Sequence, residues 1–567
     1  LAYLHRPTTP HNTEHTHHEA GVLRPPFCVW PRTRMQPQRS STSLGADSSV
    51  LGLLRETLQL FFPILTASLG WLGMRFTDTA LIGHTGTVAL AASAMGDFWM
   101  GVSAQFVRSA VSTSLFAQAY GAKNYHLMQT WLQVAVTVLL RFMVGVWLLW
   151  ATTQIWLEDV FRTVTDHQTA AMAGFYANVL AVCLPARVAQ GNALQYLQAM
   201  KITSPARNTT TMALMLNLAF GLQFVLGIGP LGKAFAFGFF ACPVVTTLTE
   251  WFVAAWTVGF YMGHKKLHAK AYPCETAWGS ADGGMTASAG CCAGNLGWIL
   301  AAYCPFLLTG SDGRHYQEEI APRIPEYLRL YLPSVLSISS DFWRMFAIGV
   351  VASKIGTVEV AVFNSSYRLA WLNMAMVSAF SSACNVLLGQ AMGAGDGALA
   401  QRVVKFSCQA CSVYLLVTTA LTVYFIRETS RIFSDDPAVE NMFYDCRWEL
   451  GAMIFCMVMA VLLESLLVGM KMTGQVLRAS LIGSWGGQVP ATVFCVWMSW
   501  SLRSVYLGVA IGYCLCIALY AWPLIEVDFE TEAAKAHLAN QLVIGRASQE
   551  STHLAAVGGF ERGADNY

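Results

Sequence analysis

The sequence has few charged residues for its length. Among 567 residues only 12% are Asp, Glu, Lys or Arg, whereas 55% are hydrophobic. Soluble domains have about twice this share of charge, so the composition excludes an ordinary soluble protein. The net charge is +2, and a chain without a basic excess lacks the electrostatic field that binds nucleic acid. We therefore expect no nucleic acid partner.

Several functional signatures are also missing. No GxxxxGK[ST] phosphate loop occurs, which argues against an ATP-driven pump. The 15 cysteines show no spacing typical of a metal site or a disulfide framework. No strand–turn–helix context for a hydrolase nucleophile is found. We therefore predict no enzymatic activity, no metal and no organic cofactor.

Long apolar segments fill most of the chain between Leu58 and Pro523. A helix needs about 20 mostly apolar residues to cross a bilayer, and twelve segments satisfy this. The predicted fold is therefore an all-α polytopic membrane protein with twelve transmembrane helices. The predicted spans are 58–83, 88–118, 128–157, 168–197, 207–229, 232–262, 328–353, 359–389, 400–426, 440–470, 476–500 and 504–525.

The two halves of the chain repeat each other. Pro63 and its neighbours align with Pro333 at an offset of 270 (333 − 63), and QAYGA at 118–122 matches QAMGA at 390–394 at an offset of 272 (390 − 118). Six spans per half is an even number, so both halves enter the membrane from the same side. This predicts two pseudo-symmetric six-helix lobes with a substrate cavity between them, as in transporters that alternate access.

The repeat divides the chain into five predicted regions. They are a disordered N-terminal tail (1–50), an N-lobe (51–263), a cytoplasmic connecting loop or insert (264–325), a C-lobe (326–526) and a soluble, cytoplasmic C-terminal tail (527–567). Loops on the side of both termini contain more Lys and Arg, which predicts that this side faces the cytoplasm. Met35 is a candidate natural start.

Ionisable side chains inside a membrane are costly and suggest a function. Asp78 follows Arg75 by three residues, and Asp341 precedes Arg344 by three. Each pair is either a structural ion pair or a site where the carboxyl group gains and loses a proton or cation, since a low dielectric favours its neutral form. An organic cation competing with that proton would suffice for antiport. Arg187, near the end of a span, is expected to snorkel to the interface.

Three further residues are candidates for the substrate cavity. Asn217 in the fifth span is either a ligand or an interhelical hydrogen-bonding group. Trp343 either forms an aromatic wall for a cation or packs against its neighbours. Arg368, together with Arg75 and Arg344, could instead bind an anion, so an anionic cargo such as citrate remains an alternative.

The order of motifs resembles the multidrug and toxic compound extrusion (MATE) family. Pro63 is followed by TDTALIGHTGTVALAA and QAYGA, and the second half has LYLPSVLSISSDFW, GTVEVAVFNSSYR and QAMGAG. The resemblance covers about residues 55–525. It implies two lobes around a V-shaped cavity and the export of organic cations, drugs or metabolites in exchange for protons or sodium.

The resemblance to eukaryotic members points to the seventh span. Asp341, Phe342 and Trp343 occupy the positions of an acidic residue and an aromatic pair, with Asp in place of Glu. Phe346 and Arg368 stand where those members have further acids. These differences from the eukaryotic members fall in the set of acidic residues that the resemblance implies for cation binding.

The resemblance to bacterial members points to the first and fifth spans. Asp78 matches a first-span Asp of a proton-coupled branch, and Asn217 matches an Asn of the fifth span, whereas Gly221 replaces an Asp. The preferred hypothesis is proton coupling through Asp78, with Asp341 contributing to the cavity.

The sequence therefore predicts a secondary antiporter that acts as a monomer on a small-molecule substrate in the lipid bilayer. Its coupling ion is H+ or Na+, and its location is the plasma membrane or a vacuolar or other organelle membrane. The alternatives are an organic-anion exporter, a flippase for lipid-linked sugars, and a channel, receptor or scaffold. A flippase would require a more cationic cavity.

Overall fold

The computed structural model describes residues 50–108, 111–159, 166–267, 316–431 and 436–541. Every regular element within these ranges is helical, which confirms the prediction of an all-α fold for them. The predictions for the N-terminal tail, for most of the connecting segment and for the chain after residue 541 lie outside the described residues.

The N-lobe contains six principal helices, three of them in two parts, that we number α1 to α6. Their bounds are α1 Val50–Gly83, α2 Thr87–Ser103 and Ser112–Gly121, α3 Tyr125–Ala151, α4 His167–Ala181 and Leu184–Ala199, α5 Ser204–Leu226, and α6 Ala241–Ala255 continuing as Trp256–His264. Helix α1 begins earlier than the predicted span, and Pro63 lies inside it.

The C-lobe repeats this order. Its helices are α7 Ile324–Ile355, α8 Thr357–Ala394, α9 Gly397–Tyr424, α10 Arg447–Gly469, α11 Thr473–Leu481 continuing through Ile482–Gln488 to Val489–Met498, and α12 Leu502–Glu526. Pro333 lies inside α7, as Pro63 does inside α1.

Among the described residues, nine helices are long and apolar enough to cross a membrane. The two parts of α4, bent by 47°, make a tenth if they are one span. The other two predicted spans are interrupted: a 3-10 segment at Ala104–Val107 follows the first part of α2, and a π-helical segment at Ile482–Gln488 divides α11. The sequence predicts these spans but not their interruptions.

The repeat in the sequence is also a repeat in backbone conformation. Lys201 and Lys471, at the offset of 270 (471 − 201), follow α4 and α10 with φ of 61° and 63°. Lys123 and Gly395, at the offset of 272 (395 − 123), follow α2 and α8 with φ of 58° and 80°. A left-handed residue is a common way to end a helix, so equivalent helices in the two lobes end in the same way.

One end of the helical bundle is closed by contacts between the lobes, and we call it the closed face. The contacts are made by helix ends that lie next to the loops 122–124, 200–203, 395–396 and 470–472. A helix at 529–541, α13, packs across this face. The Asn124 side-chain amide donates to the carbonyl oxygen of Asn540 at 2.7 Å, and Nδ1 of His537 lies 2.7 Å from the carbonyl oxygen of Gly393. The first part of the predicted soluble tail is therefore a packed element.

Candidate functional site: an acidic cleft in the N-lobe

A narrow cleft lies within the N-lobe, between α1, α2, α4 and α6. Its charged lining residues are Arg75, Asp78, Asp97, Arg187 and Glu250. The cleft therefore contains three carboxyl groups and two guanidinium groups, one more acid than base (3 − 2 = 1). An excess acid in a membrane protein must bind a proton or a cation, or else bear the cost of an unpaired buried charge.

Helical periodicity places Asp78 on the buried face of α1. Met74 and Asp78 are both buried and four residues apart, so their side chains lie one above the other. The Thr246 hydroxyl donates to Oδ2 of Asp78 at 2.9 Å, and the side-chain amide of Asn217 donates to the Thr246 hydroxyl oxygen at 3.1 Å. Thr246 is an uncharged donor, so this hydrogen bond orients the Asp78 carboxyl group without neutralising it.

The two arginines of the cleft pair with the other two acids. Arg75 contacts Asp97 at 3.0 Å, and its guanidinium lies 5.5 Å from the ring centroid of Trp71. Arg187 binds Glu250 through two hydrogen bonds of 2.5 and 2.6 Å. Paired charges of this geometry satisfy each other when buried.

These contacts change two sequence predictions. Arg75 is the expected partner of Asp78 if that residue forms a structural ion pair, but the structure pairs Arg75 with Asp97 instead. The prediction that Arg187 snorkels to the interface is wrong, because its guanidinium reaches Glu250 inside the lobe. Asp78 is thus the acid of the cleft whose charge the arginines do not match.

A second group of ionisable residues lies in the C-lobe. Arg344 contacts Asp341 at 3.0 Å, so the sequence alternative of an ion pair here matches the geometry. The Ser337 hydroxyl donates to Oε1 of Glu464 at 3.0 Å, and Glu464 is close enough to Asp341 to interact with it electrostatically. This group again has one more acid than base (2 − 1 = 1).

Arg344 is held by neighbours from two other helices. Its guanidinium donates to the Tyr513 hydroxyl at 2.9 Å and to the Gln488 side-chain oxygen, and it lies over the Tyr513 ring. Only 1% of the Arg344 side chain is exposed. Gln488 belongs to the π-helical segment of α11, a conformation that often occurs at functional positions. The structure thus places Arg344 in the interior of the C-lobe.

The remaining predicted residues are distributed over the two lobes. Asn217 is fully buried beside Asp78 and Thr246. Trp343 is 49% exposed, and Arg368 is exposed on α8. The structure brings Asp78, Asn217 and Arg75 together in the N-lobe, and Asp341 with Arg344 in the C-lobe.

The sequence marks three further acids of these sites only as members of a larger group, and it does not point to Thr246. Asp97, Glu250 and Glu464 are ionisable residues inside apolar segments, and this signal alone marks them as candidates. Thr246 has no such signal, because a threonine in a spanning helix is common and its partner Asp78 lies far away in the sequence, on another helix.

Two pseudo-symmetric helical lobes, each with an acidic group buried among spanning helices, define a polytopic membrane transporter. The family model MatE matches residues 63–222 and 333–494, more than half of the chain. The chain belongs to this family. The starts of the two matched segments differ by the offset of 270 (333 − 63), so the family match follows the internal repeat.

Curated relatives agree with this placement. Multidrug and toxin extrusion protein 1 of Homo sapiens is 25% identical over 394 residues, which cover 69% of this chain and 60% of that protein. The chain thus spans less than two thirds of the human protein's length. Multidrug resistance protein NorM of Burkholderia vietnamiensis is 24% identical over 82% of this chain and 92% of its own. These relatives are transporters, as expected for a chain predicted to have no enzymatic activity.

Solved structures share the fold. The eukaryotic MATE transporter AtDTX14 matches with a TM-score of 0.70 at 15% identity, covering 87% of this chain and 99% of its own. A mutant of the Vibrio cholerae MATE transporter VcmN matches with a TM-score of 0.64 at 14% identity, covering 85% of this chain and 99% of its own. The predicted fold class and the integral, multi-pass membrane location are therefore confirmed.

Proposed function

We propose that the chain is a secondary antiporter that exports organic cations, drugs or metabolites in exchange for protons by alternating access. One observation supports this most directly. Asp78 is a buried carboxyl group bound by the neutral Thr246, while both arginines of the cleft pair with other acids. The names of the relatives, which describe multidrug and toxin extrusion, support the same class of cargo.

Coupling follows from competition for Asp78. A proton and an organic cation each remove the cost of an unpaired carboxylate, so the site holds one or the other. In this scheme protonation favours one orientation of the lobes and binding of the cation favours the other. Each ligand then shifts the equilibrium between the two orientations by as much as its affinity for them differs. Binding of one and release of the other on opposite sides of the membrane then produce exchange.

The C-lobe supplies a second acidic group in this proposal. Asp341 is paired with Arg344, whereas Glu464 accepts its hydrogen bond from the neutral Ser337. By the same reasoning as for Asp78, Glu464 is the acid of this group that the arginine leaves unmatched. Asp341 then acts on the cavity by holding Arg344 in place.

The charge distribution does not favour the alternative cargoes. Arg75 and Arg344, two of the three arginines that favour an anionic cargo, each pair with a carboxylate. The N-lobe cleft has one acid in excess, which is opposite to the cationic cavity that a lipid-linked sugar phosphate requires. A sodium ion is chemically compatible with a carboxylate site, so it is tested directly.

The test is uptake of a fluorescent organic cation into proteoliposomes under an imposed proton gradient and, separately, a sodium gradient. Under the proton gradient we expect uptake by the wild-type chain. Asp78→Asn should lower the initial rate at least about tenfold, which corresponds to an increase of roughly 1.4 kcal/mol in the activation free energy of transport. Asp341→Asn should also lower it, because Arg344 would remain buried without its partner.

The matched control is Glu440→Gln, which removes an acid from an exposed ion pair with Arg431 outside the cleft. It should transport at the wild-type rate, since exposed ion pairs contribute little. Transport driven by sodium alone, or an Asp78→Asn variant as fast as wild type, would overturn the proton assignment. Uptake of citrate or of a lipid-linked sugar in place of the cation would overturn the cargo class.

A further inference from the structure

The two copies of the repeated pentapeptide meet in space. QAYGA ends α2 and QAMGA ends α8, and the two helix ends contact each other at the closed face. A β-carbon added to Gly121 would overlap the carbonyl group of Gln390, and one added to Gly393 would overlap the carbonyl group of Gln118. The contact is reciprocal, because each glycine faces the glutamine of the other motif. Small residues allow helix backbones to approach this closely.

The glutamine side chains extend the reciprocal pattern. The side-chain amide of Gln118 donates to the carbonyl oxygen of Gly469 at 3.2 Å, and that of Gln390 donates to the carbonyl oxygen of Ala199 at 2.8 Å. Ala199 and Gly469 end α4 and α10 and are equivalent at the offset of 270 (469 − 199). Each glutamine therefore binds the last turn of the fourth helix of the opposite lobe.

These hydrogen bonds satisfy groups that the helices themselves leave open. The last carbonyl groups of a helix have no partner within it. Gln118 and Gln390 are only 1% and 2% exposed, so while the lobes touch, the glutamine amides bind these carbonyls in place of water. When the lobes separate, water can replace the amides, and the net cost of opening is small and reversible.

We propose that Gln118 and Gln390, with Gly121 and Gly393, form the gate that closes one side of the transporter. The four residues are positioning residues: they contact neither cargo nor proton, and they set how much of the protein has this side closed. The inference rests on the proposed alternating access. It explains why the motif occurs twice, since a gate on a pseudo-two-fold axis needs the same residues from both lobes.

The gate can be tested by measuring the distance between the lobes. Ser204 and Gly474 are exposed, lie at the starts of α5 and α11, and are equivalent at the offset of 270 (474 − 204). Spin labels carried by a non-natural amino acid at these two positions leave the 15 native cysteines unchanged. The distance distribution of the full chain in lipid nanodiscs gives the ratio of the open to the closed population.

Two kinds of change should raise this ratio. Gly121→Ala or Gly393→Ala places a methyl group against a backbone carbonyl of the other lobe and should favour the open state. Gln118→Met or Gln390→Met keeps the side-chain length but removes the donor, and should raise the ratio about two- to tenfold, the effect of one neutral hydrogen bond. The glutamine variants add no bulk, so they test the gate if an alanine variant does not fold.

Gly145→Ala is the matched control, because a β-carbon there meets nothing within 4 Å. It should leave the distance distribution as in the wild type. A lower melting temperature of the gate variants without a change in distances would mean a merely structural role and would overturn the gate. The distance measurement requires neither cargo nor an imposed ion gradient. If the gate variants alter the distances but the protein transports nothing under either gradient, the gate is upheld and the proposed antiport is rejected. If the protein shows proton-driven transport but the gate variants leave the distances unaltered, the antiport is upheld and the gate is rejected.

Discussion

Asp78 shows how one buried side chain depends on small neighbours. Gly221 on α5 lies against Leu81, one turn further along α1, so closely that a β-carbon at position 221 would overlap Cδ1 of Leu81. The aspartate that the bacterial resemblance implies at this position would require the Leu81 side chain to move. The glycine lets α5 approach α1 and brings Asn217 next to Thr246 and Asp78.

We predict that Gly221→Ala lowers the free energy of unfolding by about 1–3 kcal/mol, the usual cost of overpacking. Leu81→Val, which shortens the opposing side chain, should recover part of this loss when the two changes are combined. The measurement is a double-mutant cycle on the melting temperature of the purified protein. Gly145→Ala serves as the control for helix propensity alone, and strictly additive effects of the pair would contradict the contact.

At the scale of single helices, apolar length predicts much of the structure. Each of the twelve predicted spans overlaps a described helical segment, because lipid leaves a spanning backbone few alternatives to the helix. Apolar length does not predict the π-helical segment of α11, because the cause of that segment is tertiary. Gly483 and Gly487 there pack against Cys516 and Leu515 of α12, residues that local sequence does not place beside them.

Helix α13 is also not predicted from the sequence, because a short polar helix lacks the long apolar run that marks a membrane-spanning helix. It contacts both lobes at the gate: Asn540 accepts from Asn124 of the N-lobe, and His537 contacts Gly393 of the C-lobe. Gly397 also lies tightly against the backbone of Glu530. An element attached to both lobes on one face restrains their separation on that face.

We therefore predict that ending the chain after residue 527 raises the ratio of open to closed populations. The same spin-label pair at positions 204 and 474 measures this. The size should be a few-fold, since the truncation removes the hydrogen bond from Asn124 and the contact of His537 with Gly393. Ending the chain after residue 541 is the matched control, because it keeps α13, and it should behave as the full chain. Equal distances in both truncations would show that α13 does not restrain the gate.

At the scale of the whole molecule, the two lobes have the same backbone plan but place their acids differently. Asp78 lies late in α1, whereas Asp341 lies in the middle of α7, so the repeat alone does not locate the second site from the first. The sequence identifies the acids, since charge is rare in spanning helices. It does not identify which acids an arginine neutralises, because Arg75 pairs with Asp97 rather than with Asp78 on its own helix.

The count of charges in the two lobes predicts the coupling ratio. Each lobe site has one acid more than it has arginines, so the proposed proton antiport predicts two exchangeable protons, one for each lobe (1 + 1 = 2). If each lobe exchanges its proton in every cycle, two protons cross the membrane for each cargo molecule. Net transport then stops when the driving force on two protons equals the opposing driving force on one cargo molecule.

Glu464→Gln leaves Asp341 and Arg344 paired and removes the unmatched acid of the C-lobe, so it should lower this ratio to one while Asp78 still drives transport. The proton gradient at which net flux of the fluorescent cation reverses measures the ratio. Glu440→Gln should keep the wild-type value, because its ion pair with Arg431 lies outside both acidic groups. A Glu464→Gln variant with an unchanged reversal point would show that the N-lobe alone couples transport.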